Sequence, residues 1–291
     1  MSLIQVGCDR MHFFDEGIGV PVVFIHGSCG GGRQWQSLAT PLLPQYRVLR
    51  PDLVGCGASG CWPIGRRWTV QHDVAALDAM LDQLGEPFHL VAHSHGAHAA
   101  YQIVRRRGSQ LLGLTLFEPT YFHLLRLDEP ALFREPLLMA QRYRGAIEVG
   151  DYESGMRGFV DTWAQATGTW DGLTSRTRQA MRQAQGRLYD EWMTIFGDEP
   201  SLRDLAAIDV PVLLIKGEKT LRSVHKICDL IRTTVSRCTF VEIEGAAHQC
   251  PFTHASVAFP VLLQHLEWSE ASDSMTVDGV PGTRVPCRHD Q

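Results

Sequence analysis

One stretch of the sequence predicts a sharp junction between a strand and a helix, with a serine at the turn. Residues 88–91 form an apolar run that is typical of a buried strand, and residues 97–107 place small and apolar side chains at helical spacing. The pentapeptide between them, at 92–96, reads Ala-His-Ser-His-Gly. Small residues beside the serine let the strand and helix backbones approach closely, as in a nucleophile elbow. Ser94 is therefore the first candidate for a catalytic residue.

Strand-like runs alternate with helical patterns along most of the chain. Strands are predicted at 11–15, 22–25, 46–49, 88–91, 111–117, 212–215 and 239–243. Helices are predicted at 35–43, 70–84, 97–107, 221–231 and 255–268. Continuously apolar strands that alternate with helices favour an α/β fold, with a mainly parallel sheet covered by helices on both faces. Ligands of such sheets bind at the carboxyl ends of the strands.

The pattern changes between residues 120 and 209, where arginine, tryptophan and tyrosine are frequent and no strand is predicted. We expect a helical insertion over 120–209, between the two core segments 1–119 and 210–268. The final stretch, 269–291, is polar and contains glycine and proline. Low hydrophobicity at a chain end predicts a disordered tail.

Charge and hydropathy argue against nucleic acid and membranes as partners. The 27 basic and 32 acidic residues give a net charge of -5 without a block of one sign, so no nucleic-acid partner is expected. No apolar stretch reaches the roughly 20 residues that span a bilayer, and residues 1–15 lack the pattern of a signal peptide. We therefore expect a cytoplasmic protein without a membrane partner. The eight cysteines are scattered, which predicts neither a disulfide framework nor a metal site.

A serine nucleophile needs a base, and His248 is the candidate. It follows the last predicted strand, in a loop of small residues, far downstream of the serine. The order serine, acid, histidine along the chain is one of the known arrangements of a catalytic triad. The histidines near the serine, His93, His95 and His98, are expected to pack or to donate from the backbone rather than to transfer protons.

The order of these loops resembles the α/β-hydrolase superfamily. The resemblance rests on four motifs: His26-Gly27-Ser28, Asp52-x-x-Gly55-x-Gly57-x-Ser59, Ala92-x-Ser94-x-Gly96 and Gly245-x-x-His248. It implies an eight-stranded type of sheet with the insertion 120–209 as a helical cap, Ser94 as the nucleophile and His248 as the general base. It also implies an oxyanion hole formed by the backbone N–H groups of Ser28 and His95. Neither a metal nor a cofactor is expected.

The acid is where the sequence departs from the common pattern of this superfamily. Many members carry an aspartate after the penultimate strand, but here that segment ends in Thr220. Haloalkane dehalogenases with a glutamate place the acid one strand earlier, a position that matches Glu118. A buried carboxylate needs a partner, and pairing with His248 would supply one. We predict Glu118 as the acid and Glu218 as the alternative. An ion pair of Glu118 with Arg126 is the purely structural interpretation.

A serine at the elbow indicates acyl transfer, whereas the dehalogenases attack with an aspartate. The prediction is a serine hydrolase of small-molecule carboxylic esters or lactones that works through an acyl-enzyme. Two alternatives stay open: hydrolysis of a carbon–carbon bond next to a ketone by the same triad, and a non-catalytic ligand receptor on the same fold. Aromatic residues of the insertion are candidates to line an apolar pocket. They are Tyr121, Phe122, Tyr143, Trp163, Trp170, Tyr189 and Trp192.

Overall fold

An eight-stranded sheet forms the centre of the protein, for which a computed structural model describes residues 2–62 and 66–277. The strands are β1 Ser2–Val6, β2 Asp9–Glu16, β3 Val20–Ile25, β4 Tyr46–Pro51, β5 Phe88–His93, β6 Leu111–Phe117, β7 Val212–Gly217 and β8 Cys238–Ile243. Their order across the sheet is β1-β2-β4-β3-β5-β6-β7-β8. The pairs β1–β2 and β2–β4 are antiparallel, and all later pairs are parallel. The prediction of a mainly parallel sheet is confirmed.

The first strand, β1, was not predicted. It lies at the edge of the sheet, where Ile4 is buried, Leu3 and Gln5 are exposed and the two terminal residues are partly exposed. A five-residue edge strand with a single buried side chain leaves little periodic signal in the sequence.

Helices cover the sheet on both faces, as predicted. In the described part of the chain they are α1 Gln36–Ala39, α2 Val70–Leu84, α3 Gly96–Arg107, α4 Pro130–Glu148, α5 Tyr152–Ala164, α6 Thr169–Gly172, α7 Ser175–Gln183, α8 Gln185–Ile195, α9 Leu202–Ala206, α10 Arg222–Thr234, α11 Cys250–Thr253 and α12 Ala255–Val277. Alternate residues of β3 point to opposite faces, so Val23 joins the apolar cluster under α2, α3 and α10, whereas Phe24 joins the cluster under α1 and α12.

The helix predicted at 35–43 is broken. The structure has a 3₁₀ turn at Gly32–Trp35, the single turn α1, and a second 3₁₀ turn at Thr40–Leu42. Pro41 lacks an N–H donor and cannot continue an α-helical ladder. The expectation of one continuous helix was wrong for this reason.

The segment between β6 and β7 carries α4 to α9, all within the predicted insertion 120–209. It contacts the rest of the chain at the carboxyl ends of the strands. There Arg187 of α8 hydrogen-bonds Asp73 of α2, and Trp163 of α5 stacks on His248. We call residues 120–209 the helical segment.

The last helix is longer than predicted, because α12 continues to Val277. Ser269 is fully buried, and its hydroxyl donates to the His265 carbonyl oxygen at 2.7 Å. A Cβ on Gly113 of β6 would lie 2.7 Å from the Ser269 Oγ, so the helix and the strand pack closely at this point. The predicted start of the tail at 269 is therefore too early, and residues 278–291 lie outside the described residues.

Candidate active site

Ser94 lies at the turn between β5 and α3, in the left-handed backbone region with φ of 55°. Its N–H donates to the Phe117 carbonyl oxygen at 2.9 Å, which holds this costly conformation in place. The turn needs small neighbours. A Cβ on Gly27 would lie 2.9 Å from the Ser94 Cβ, and a Cβ on Gly96 would lie 2.5 Å from the His26 carbonyl oxygen. The serine hydroxyl is thereby presented at the carboxyl ends of the strands.

The imidazole of His248 joins this serine to a carboxylate. The Ser94 hydroxyl lies 2.8 Å from Nε2 of His248, and Nδ1 lies 2.6 Å from Oε2 of Glu118. All three side chains are buried. With the Nδ1–H donating to the carboxylate, Nε2 is free to accept the serine proton, which is the arrangement of a general base. The geometry thus permits activation of the serine as a nucleophile.

Glu118 follows β6 directly and is fully buried. Besides His248, its carboxylate accepts hydrogen bonds from the Gly217 N–H at 2.6 Å and from the Thr220 hydroxyl at 2.5 Å. Three donors satisfy a buried carboxylate that would otherwise be costly. Thr220, which stands where many superfamily members carry an aspartate, therefore supports the glutamate from the neighbouring strand.

The structure does not bring the alternative acid into contact with the base. Glu218 is exposed, and its Oε2 accepts from the Gly245 N–H at 2.8 Å. Arg126, the structural alternative as a partner of Glu118, instead pairs with Asp198 at 2.9 Å. Among the predicted residues, the geometry therefore places Glu118 and not Glu218 next to His248.

The two predicted oxyanion donors lie in loops that follow β3 and β5. Neither the Ser28 N–H nor the His95 N–H donates to an acceptor within residues 2–62 and 66–277. His26 orders the first loop, because its Nε2 accepts from the Leu53 N–H at 2.9 Å and its Nδ1 donates to the Gly27 carbonyl oxygen at 2.7 Å. Burial lowers the pKa of His26 to about 4, so the ring stays neutral at physiological pH. Both backbone N–H groups are thus available to a ligand oxygen.

A buried cluster of charges lies next to these donors. Arg187 donates to Asp73 through both terminal nitrogens, at 2.9 and 2.6 Å, and through Nε to Oε1 of Glu191 at 2.5 Å. The same Glu191 oxygen lies 3.8 Å from Nδ1 of His95. Burial would raise the pKa of Glu191, but His95, Arg187 and the Ser28 hydroxyl outweigh it and lower this pKa to about 2. Burial lowers the pKa of His95 to about 4.

Sequence reasoning missed this cluster. The sequence does contain one sign of the cluster: Arg187 and Glu191 are oppositely charged residues at positions i and i+4 of a helix. The adjacent positions, Leu188 and Trp192, are apolar, so the charged pair lies beside the apolar face of the helix. Charged residues on the apolar face of a helix need buried partners. The sequence contains no hint of which residue on another element supplies the partner.

Trp163 of α5, one of the aromatic residues predicted to line a pocket, stacks on His248. Its ring lies on the His248 imidazole, with centroids 3.9 Å apart and an interplanar angle of 27°. Trp170, by contrast, is buried elsewhere and donates through Nε1 to Glu153 at 2.5 Å. Apart from Tyr189, which is partly exposed, the predicted pocket aromatics are buried, as the structure shows for Tyr121, Phe122, Tyr143, Trp163, Trp170 and Trp192.

Metal sites and membrane spans can be judged within the described ranges 2–62 and 66–277. No group of three or more His, Cys, Asp or Glu side chains there is arranged to hold a metal ion. Nor do these ranges contain a helix that combines the length and the apolar character required to cross a membrane.

Comparisons with known proteins place the chain in a family. The model of the "Alpha/beta hydrolase family" matches residues 22–259. Among curated proteins, the lipase LipV of Mycobacterium tuberculosis is 38% identical over 99 residues, which cover 34% of this chain and 36% of the lipase. A haloalkane dehalogenase of Mesorhizobium japonicum is 34% identical over 119 residues, which cover 40% of this chain and 38% of that enzyme. The matches thus span little more than a third of the length of these relatives.

Solved structures with a similar fold cover nearly the whole chain. A bromoperoxidase from Bacillus anthracis has a TM-score of 0.74 at 19% identity, covering 91% of this chain and 99% of its own. An enol-lactonase from Burkholderia xenovorans LB400 has a TM-score of 0.72 at 14% identity, covering 91% and 100%. At such identities the likeness concerns the fold alone. The family match over residues 22–259 and the sheet order agree with this fold, and the chain therefore belongs to the alpha/beta hydrolase family.

Proposed function

We propose that this protein is a serine-dependent hydrolase of carboxylic esters or lactones that acts through an acyl-enzyme intermediate. One observation carries the proposal: the hydrogen-bonded chain from the Ser94 hydroxyl through His248 to Glu118, with distances of 2.8 and 2.6 Å. A serine hydroxyl activated in this way attacks carbonyl carbons. The lipase among the curated relatives supports the same substrate class.

In the first half of the reaction, His248 Nε2 takes the Ser94 proton while Oγ attacks the substrate carbonyl carbon. Glu118 stabilises the imidazolium that forms, through the Nδ1 hydrogen bond. The N–H groups of Ser28 and His95 would receive the oxyanion, and each such donor is typically worth ~100- to 1000-fold in rate. The carbon–oxygen bond to the leaving group then breaks, and His248 returns its proton to the departing alkoxide.

In the second half, His248 takes a proton from water, and the resulting hydroxide attacks the acyl-enzyme carbonyl. The ester bond to Ser94 breaks, the serine regains its proton from His248, and the carboxylic acid leaves. For a lactone the leaving alcohol stays attached to the acyl group, so the product is a single hydroxy acid.

A fluorophosphonate probe tests the shared premise. We expect the probe to form a covalent adduct that mass spectrometry locates on Ser94. A Ser94→Ala variant of equal thermal stability should form no adduct. An unlabelled wild-type protein, under conditions that label a control serine hydrolase, would contradict the proposal.

A substrate panel then tests the reaction class. Short-chain esters and lactones should be turned over with saturation kinetics, and Ser94→Ala should abolish turnover. Turnover of vinylogous diketones without turnover of esters would instead indicate carbon–carbon bond hydrolysis. Saturable binding of these compounds with no turnover would indicate a ligand receptor.

A further inference from the structure

The imidazole of His248 contacts two aromatic rings that come from different parts of the chain. Trp163 of α5 covers one face at a centroid distance of 3.9 Å, with the ring planes 27° apart. His93, at the end of β5, approaches the ring at a centroid distance of 4.8 Å, with the planes 41° apart. The Nε2–H of His93 also donates to the His248 carbonyl oxygen at 2.9 Å.

The tryptophan is fixed in this position by the helical segment. Its side chain is 5% exposed and stacks with Phe122 at a centroid distance of 6.2 Å. Phe159, one turn earlier on α5, meets it edge-on at 6.3 Å. A buried ring in contact with three other rings has little rotational freedom. Its contact with the base is therefore part of the packing of the helical segment on the core.

The charges around the base make this contact chemically relevant. Glu118 approaches Nδ1, and the Ser94 hydroxyl approaches Nε2. Burial, and then the proximity of His248, lower the pKa of His93 well below its usual range, so His93 stays neutral and does not repel a cation. An indole face attracts a cation, most strongly where water is excluded. The contact is thus stronger when His248 has become an imidazolium than when it is neutral.

We propose that Trp163 is a positioning residue for the base, which stabilises the His248 imidazolium and aligns its ring between Ser94 and Glu118. This inference rests on the proposed serine-hydrolase function. An interaction that strengthens as the imidazolium forms lowers the barrier to the chemical step. Because Trp163 belongs to the helical segment, the base is complete only while that segment lies on the core.

The test compares Trp163→Leu, which keeps an apolar cover but removes the π face, with Trp163→Phe, which keeps both. Loss of the cation–π contact should lower kcat/KM of the Leu variant on the order of 10-fold and move the acidic limb of its pH profile about one unit to lower pH. The Phe variant should retain most of kcat and the wild-type limb. A buried tryptophan that does not contact the triad provides the matched control, since Trp170→Leu should leave the acidic limb in place.

A second readout does not depend on turnover. An imidazolium quenches the emission of an indole stacked on it, so the tryptophan emission of the wild type should fall on acidification through the acidic limb. The His248→Gln variant keeps every tryptophan and should lack this step. The other tryptophan–histidine contacts, such as Trp68 with His95 at 5.3 Å, are present in both proteins and cancel in the comparison.

An unmoved acidic limb in Trp163→Leu overturns the inference even if its activity falls, because a merely structural role predicts a lower rate at every pH. Identical emission titrations of the wild type and His248→Gln overturn it as well. If wild-type protein neither labels at Ser94 nor turns over substrate, the proposed function fails, and the emission titration decides on the contact between Trp163 and His248 by itself.

Discussion

At the scale of single residues, the proposed acid, Glu118, is held in place by hydrogen bonds that converge on its carboxylate. The Gly217 N–H, the Thr220 hydroxyl and His248 all donate to its carboxylate. These contacts hold the two oxygens in one orientation, so the proton on His248 stays at Nδ1. In the proposed mechanism, Glu118 therefore fixes the tautomer of the base and stabilises its charged form.

Replacing this carboxylate by an amide should cost activity and leave the fold intact. We expect Glu118→Gln to lower kcat by roughly 100- to 10000-fold, because a neutral amide does not stabilise the imidazolium and can favour the wrong tautomer. Steady-state kinetics on a short-chain ester, with circular dichroism as a check on folding, measures the effect. The matched control is Glu218→Gln, which should change kcat less than about threefold because Glu218 does not contact His248. If the two effects are reversed, Glu218 is the acid.

At the scale of elements, the elbow depends on how closely α3 approaches β3. The two backbones are so near at Gly96 that an added Cβ would meet the His26 carbonyl oxygen at 2.5 Å and the Ile25 side chain at 3.0 Å. The His26 carbonyl belongs to the backbone directly after β3, so it cannot swing aside as the end of a flexible side chain could. The spacing of the elbow therefore restricts this position to glycine.

Gly96→Ala should destabilise the protein by about 1–3 kcal/mol, because overpacking pushes the helix from the sheet. It should also lower kcat by more than the lost stability explains, since Ser94 moves with the helix. Urea denaturation and ester kinetics measure the two effects. Gly108→Ala, at the other end of α3 with no atom within 4 Å of the added Cβ, is the control and should lie within about 0.5 kcal/mol of wild type. Equal stabilities of the two variants would show that the close approach carries no energetic weight.

At the scale of the whole molecule, the helical segment is joined to the core by buried charge. Arg187 of α8 is 1% exposed, and it donates to Asp73 of α2 and to the Val54 carbonyl oxygen. The Trp68 ring lies 4.5 Å from its guanidinium. These neighbours of Arg187 on the core lie next to the loops that carry Ser28 and His95. The position of the segment and the shape of the site are therefore coupled.

Arg187→Met should destabilise the protein by about 3–5 kcal/mol, because Asp73 and Glu191 are left buried without their cation. The control removes an exposed pair of the same segment. Arg157 and Asp171 are 43% and 52% exposed, so Arg157→Met should cost about 0–1 kcal/mol. Urea denaturation with a constant m-value tests both. A loss below about 1 kcal/mol in Arg187→Met would show that the buried pair does not hold the segment on the core.

Stability should also depend on pH, because several histidines are buried in the neutral form. Burial lowers the pKa of His26, His95 and His265 to about 4 each. The unfolded chain takes up protons on these rings near pH 6.5, whereas the folded chain does so only near pH 4. Stability should therefore be fully present above pH 6.5 and decline as the pH falls towards 4. Urea midpoints between pH 7.5 and 4.5 check this decline, and a constant midpoint would contradict it.

Local patterns explain how much of the protein could be predicted. Apolar runs and helical spacing locate most strands and long helices, because burial imposes a period on neighbouring residues. The elbow could also be predicted, because Gly96 and the small residues around Ser94 reflect a steric requirement within one turn. The edge strand β1 and the broken helix near Pro41 were predicted poorly, since a short edge strand has little period and a proline within a helical pattern interrupts it.

By itself, the sequence determined the class of fold, the elbow serine and the histidine that follows the last strand, since each depends on residues that are close along the chain. The sequence predicted Glu118 and kept Glu218 as the alternative, and only the tertiary structure decided which carboxylate meets His248, because Glu118 lies 130 residues away and no local pattern encodes that contact. The support from Thr220, the cover of Trp163 and the cluster around Arg187 were decided in the same way. These contacts form only when separate elements pack, and the cost of burying their polar groups is met only there.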